Sequence, residues 1–275
     1  SATDAITTTE LVDADLTTEN NALTASGIKF TNVNSADLSQ GQLTGTDAES
    51  ETFEISTAAN HVAVNGMNLT SVGAIDAGSS ATDAITTTEL VNADLTDENN
   101  ALTASGIKFT NVNSADLSQG QLTGTDTKDE IFEISTTANQ VAVNGMNLTS
   151  VAAIDAGASA ADAITAVVAV DATLAAAQKA LAASNIAFTN INAANLNSGA
   201  LNGTNTEAET FQISTALNQV NVNGIDLTNV SAIDAGTDLG DTVVTTELVN
   251  AALTSDTNAL TASGINFSGL DSMDL

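Results

Sequence analysis

The chain has 275 residues, a formal net charge of −30, four lysines, no arginine, cysteine, proline, tryptophan or tyrosine, and 43% hydrophobic residues. So acidic a balance excludes nucleic acid as a partner, because neutralising phosphates needs a basic face and Lys29, Lys108, Lys128 and Lys179 are scattered. The lack of cysteine removes disulfide frameworks and thiolate metal sites, and no run reaches the roughly 18 apolar residues of a membrane-spanning helix.

Nothing at Ser1 resembles a signal peptide, which needs a basic segment followed by an apolar one. The chain therefore reads as a piece of something longer. DAITTTELV, headed by Asp4, is the first of four matching segments headed by Asp4, Asp83, Asp162 and Asp241. The differences 83 − 4, 162 − 83 and 241 − 162 are each 79. The expected organisation is units 1–79, 80–158 and 159–237 with a partial fourth, 238–275, all in one continuous solenoid. A half-period also shows: GIKFTNV at 27–33 matches GMNLTSV at 66–72, half a unit further on.

Within a half, apolar residues recur every fifth position, as Leu23, Ile28, Val33, Leu38 and Leu43. That period is neither the 3.6 of a helix nor the 2 of a long strand. It predicts short strands separated by corners, each placing one residue inward. The expected fold is all-β, an elongated parallel β-solenoid of stacked coils of about 20 residues. All seven phenylalanines fall at two repeat positions: Phe30, Phe109, Phe188 and Phe267 at one, and Phe53, Phe132 and Phe211 at the other. Ladders of like rings inside stacked coils are the expectation. Gly27, Gly106, Asn185 and Gly264 share one position, an exchange that a left-handed backbone permits, and Asn65-Gly66 is a turn dipeptide. One segment points elsewhere. DATLAAAQKALAASN, from Asp171 to Asn185, has strong helix propensity, so a mixed α/β solenoid with one short helix per 79-residue unit is the alternative.

His61, the only histidine, is replaced by Gln140 and Gln219 in the next units. Without a second histidine or a cysteine, no nucleophilic triad forms. The chain is therefore not expected to be an enzyme.

LTGTDAESETFEIS at 43–56, with counterparts LTGTDTKDEIFEIS and LNGTNTEAETFQIS, resembles the degenerate end of the glycine- and aspartate-rich repeats of RTX-type secreted proteins. The matching residues are Gly45, Thr46 and Glu51, followed by Phe53. That resemblance implies calcium as a cofactor, held by turn carbonyls and acids. The acids are Asp47 and Glu51, Asp126 and Glu130, and Glu209, with Asp76, Asp155 and Asp234 of the AIDAG segments as further ligands. The alternatives are a solvated acidic loop and, for the AIDAG aspartates, satisfaction of backbone donors in their own turn. As a whole the chain resembles the repeat regions of giant bacterial surface proteins: RTX-type adhesins, haemolysin-like proteins, S-layer and extracellular filament proteins. The resemblance implies a structural segment, extracellular or at the cell surface, serving as spacer, fibre or biofilm matrix element. Its partners would be neighbouring repeats and further copies, in fibres or a surface layer, with neither nucleic acid nor membrane insertion.

Overall fold

The computed structural model describes residues 4–274. Every regular element among them is a β-strand, and most strands are three or four residues long. One compact unit runs to Thr125 and includes Ala142–Val151; the other comprises Asp126–Val141 and the chain from Ala152 onward.

The first unit contains β1 (Ala5–Thr7), β2 (Ala14–Leu16), β3 (Ala22–Ala25), β4 (Ile28–Thr31), β5 (Ser35–Asp37), β6 (Gln42–Thr44), β7 (Thr52–Ile55) and β8 (Val62–Val64). These are followed by β9 (Met67–Thr70), β10 (Ala74–Asp76), β11 (Ala84–Thr87), β12 (Ala93–Leu95), β13 (Leu102–Ala104), β14 (Ile107–Thr110) and β15 (Ser114–Thr123). They form two rows. In one, β1, β5 and β9 pair in parallel, β9 pairs antiparallel with β8 and β8 with β7, and β7 continues in parallel to β11 and β15. In the other, β4, β3 and β2 form an antiparallel meander that continues in parallel through β6 and β10 to β14. The second unit repeats the scheme, with Ala163↔Ala193↔Asp226 in one row and Ala172↔Leu201 in the other.

This is a β-solenoid, and its turn is longer than the coil of about 20 residues that the apolar spacing predicts. The parallel partners Ala14↔Leu43, Ser35↔Asn68 and Ala74↔Lys108 have sequence separations of 29, 33 and 34, from 43 − 14, 68 − 35 and 108 − 74. The excess is the meander, in which the chain doubles back twice on one row before crossing to the other. The second hairpin of each meander closes through two residues that both have positive φ: Ser26 and Gly27 at 50° and 74°, Asn65 and Gly66 at 49° and 80°. That pair of angles matches the twist of the flanking strands. The half-repeat acquires a meaning from this arrangement: β2–β4 is the meander of one row, and β7–β9, its sequence relative, is the meander of the other.

The helix alternative fails at its strongest segment. Asp171–Asn185 forms the antiparallel strands Ala172–Leu174 and Leu181–Ala183, closed onto Ile186–Thr189 through Ser184 and Asn185 with φ of 50° and 60°. Ala172, Leu174, Leu181 and Ala183 are all buried there. Burial of these alternating side chains outweighs a propensity difference of about a few tenths of a kcal/mol per residue, the span among ordinary residues.

The phenylalanines are core residues, but they do not stack like on like. Phe53 of one row meets Phe109 of the other with ring centroids 6.1 Å apart and planes at 61°. Phe132–Phe188 and Phe211–Phe267 repeat that contact. The rings thus pair edge to face across the core, the arrangement their quadrupoles favour. Phe30 has no such partner among the described residues and is only half-buried.

A second repeated device is an asparagine at 21, 60, 100, 139, 218 and 258, each with φ between 55° and 60°. At Asn21 the backbone N–H donates to the Asn65 carbonyl at 2.8 Å, and Nδ2 donates to the carbonyls of Val33 and Gly66. Asn60 and Asn100 repeat both side-chain bonds. Asparagine tolerates the left-handed backbone and supplies the donors that close each meander onto the next.

Candidate functional site

The acidic loop after β6 turns Glu51 inward. Thr46 donates both its backbone N–H (3.2 Å) and its hydroxyl (2.6 Å) to Glu51 Oε1, which folds LTGTDAESE into a closed loop. Glu51 then leads directly into β7, and Asp83 leads into β11, the strand paired with β7 in the next turn. The register therefore stacks the two acids. Glu51 N–H donates to Asp83 Oδ1 at 2.8 Å, and Ala84 N–H donates to the Glu51 carbonyl. Both side chains are buried, and Glu51 Oε2 and Asp83 Oδ2 have no hydrogen-bond partner.

The second and third repeats build the same pair. Glu130 N–H donates to Asp162 Oδ1 and Glu209 N–H to Asp241 Oδ1, each at 2.8 Å. Thr204 holds Glu209 Oε1 as Thr46 holds Glu51. What varies is the third group. In the first repeat that place in the sequence is held by Ser80, whose hydroxyl lies 3.3 Å from that of Ser50. In the second, Asp129 accepts a hydrogen bond from Ser159 and lies near Asp162. In the third, Asp238 stands where the earlier repeats have Ser80 and Ser159. Glu209, Asp238 and Asp241 each offer an oxygen, and these lie within 4.8 Å of one another, the one such three-acid group among the described residues.

The electrostatics follow from burial. Loss of water raises the pKa values of Glu51, Asp83 and Asp162 against the lowering effect of their N–H and O–H donors. Asp241 is pushed up to about 6, first by burial and then by the charges of Asp238 and Glu209. No lysine falls within the third repeat after Lys179. A buried carboxylate pair of this kind must take up a proton or a cation to be stable.

The other acids implicated by the sequence lie elsewhere. Asp47 accepts from Ser79 N–H and Asp126 from Ala158 N–H, each 32 residues on, so both tie one turn to the next. Asp76 accepts from Gly78 N–H within its own turn and from Asn111 Nδ2 at 2.7 Å. Asp155 repeats both bonds, and Asp234 accepts from Gly236 N–H. Of the eight acids, Glu51, Glu130 and Glu209 join the buried pairs, and their partners Asp83, Asp162 and Asp241 carry a sequence signal that reads as a repeat header. His61 lines a shallow groove over β7–β9 with Glu54 and Asn68; the corresponding groove of the third repeat has Gln212, Gln219 and Asp226. The two grooves share no acid or base at matching positions.

No protein-family model, curated protein or solved structure matches this chain.

Proposed function

We propose that this chain is a structural repeat segment of an extracellular bacterial surface protein or filament, acting as a rigid spacer, fibre or matrix element. The observation that carries this reading is a contrast between equivalent residues. Ile28 of the outermost strand β4 is 57% exposed, whereas its counterpart Ile107 in β14 is 0% exposed because β10 covers it. Each turn therefore completes its core only by stacking on its neighbours, and adding repeats adds length without changing the section. The acidic exterior keeps such arrays soluble and apart. Self-association into fibres or a surface layer belongs to the same reading.

From β1 to its counterpart β11 there are five strand spacings along one row. At about 4.8 Å each, one 79-residue repeat advances the array by roughly 24 Å. Small-angle scattering on the chain and on a version carrying one inserted repeat tests this. The maximum dimension should grow by that increment at constant cross-section; a growth of a few ångströms refutes the spacer reading. Antibodies raised against the chain should label intact, unpermeabilised cells that make it.

A further inference from the structure

We propose that Glu209, Asp238 and Asp241 form a specific site for one divalent cation, of calcium size. This inference is independent of the spacer reading, because it concerns a site inside one repeat.

Three separate observations meet there. The first is the grouping: one oxygen from each acid lies within 4.8 Å of the others. The second is the set of unpartnered atoms. Glu209 is 1% exposed and Asp241 0% exposed, yet Glu209 Oε2, Asp241 Oδ2 and Asp238 Oδ1 all lack a hydrogen-bond partner. The remaining oxygens of the buried pair are occupied, Glu209 Oε1 by Thr204 and Asp241 Oδ1 by Glu209 N–H. One oxygen of each buried acid is thus anchored to the protein and the other is left for a ligand. The third is space. A Cβ on Gly203 would lie 2.3 Å from the Ala235 carbonyl oxygen and 2.9 Å from Glu209 Oε2, so only a glycine fits beside both.

A hard cation satisfies this arrangement because it brings charge and accepts several oxygens at once. Calcium takes six to eight oxygens in flexible geometry and is held by several carboxylates, whereas magnesium keeps most of its waters and takes one or two carboxylates. Three carboxylates drawn together, two of them buried, therefore suit calcium. Asp238 is half-buried, so the site opens to solvent on its side, where water completes the coordination. The Glu51–Asp83 pair, with hydroxyls in place of the third carboxylate, is the internal comparison.

The test is isothermal titration of the metal-free full chain with calcium chloride at pH 7.5 and 150 mM sodium chloride, beside magnesium chloride. The expected result is one saturable calcium site per chain, bound at least tenfold tighter than magnesium, with a calcium-dependent rise in melting temperature. Asp238→Ser installs the residue that the first two repeats carry at that position, so the fold is retained, and it should weaken calcium binding at least tenfold. Asp238→Asn, nearly isosteric, serves as the second variant, with circular dichroism confirming unchanged strand content. Absence of saturable binding up to millimolar calcium overturns the proposal. So does calcium binding of wild-type strength in both folded variants, since the ion would then sit elsewhere on the acidic surface.

Discussion

Replacing Asp83 by asparagine tests whether the recurrent carboxylate pair strains the fold when no cation is present. Asp83 and Glu51 are buried on adjacent turns, and the charge of Asp83 is among the causes that raise the Glu51 pKa. With both ionised, two acceptors face each other; with one protonated, a bond forms, but the protein must take up a proton. The amide of Asp83→Asn would keep an acceptor for Glu51 N–H, now 2.8 Å from Oδ1, and would aim an N–H at the unpartnered Glu51 carboxylate oxygen. A hydrogen bond to a charged group is worth about 1.5–3 kcal/mol. Allowing for imperfect geometry, Asp83→Asn should gain about 1–2 kcal/mol at pH 7, a rise of roughly 3–6 °C in melting temperature for a cooperative unit of this size. The pH dependence supplies a second readout. Acids whose folded pKa is raised stabilise the protein fully below their unfolded values, and that contribution is lost as pH rises through the folded values. For Asp241, a displacement from 3.8 to about 6 corresponds to at most about 3 kcal/mol lost between those pH values. Wild-type stability in chelator should therefore fall from about pH 4 to above pH 6, and Asp83→Asn should make that fall shallower. Chemical denaturation followed by far-ultraviolet circular dichroism measures both. A variant less stable than wild type at pH 7, or one with the full wild-type pH slope, refutes the strained-pair account.

Three further outcomes follow from packing and backbone geometry. Phe188→Ala removes a buried ring paired with Phe132 and should cost about 3–5 kcal/mol. Phe30→Ala, at the same repeat position but half-buried, should cost less than half as much, and equal losses in denaturant titrations would contradict the neighbour-dependent core. Lys179 occupies the position of the repeated asparagines, with φ of 55°, so Lys179→Asn should restore the two side-chain donors and gain about 1–2 kcal/mol in the same assay. Gly120→Ala would bring a Cβ to 1.9 Å from the Val91 carbonyl oxygen and should cost about 3 kcal/mol or more. Gly27→Ala meets nothing within 4 Å, and its φ of 74° limits the loss to about 1–2 kcal/mol; a reversed order between the two would contradict the close approach at Gly120.

Much of the architecture was legible because repetition exposes what one backbone demands. The period of 79, its half-period and the alternation of Gly with Asn at 27, 106, 185 and 264 mark the hairpin turns. The buried positions Leu23, Val33, Leu38 and Leu43 follow from their spacing, while Ile28 does not, since no strand among the described residues covers β4 on its outer side. The site was only half legible. Glu51, Glu130 and Glu209 stand out in an acidic loop, but the aspartates assigned with them cap turns or tie one turn to the next, and the true partners look like repeat headers. A coil of about 20 residues does not relate 51 to 83, whereas the observed register does.

Periodicity, strand-and-corner character and turn positions are written in the order of residues, since they depend on residue types acting over a few neighbours. The length of a turn, the pairing of phenylalanines across the core and the meeting of Glu209, Asp238 and Asp241 came only from the folded chain. Each of these depends on which strands become neighbours after the meander folds back, and that register arises from packing between successive turns rather than from any local run of residues.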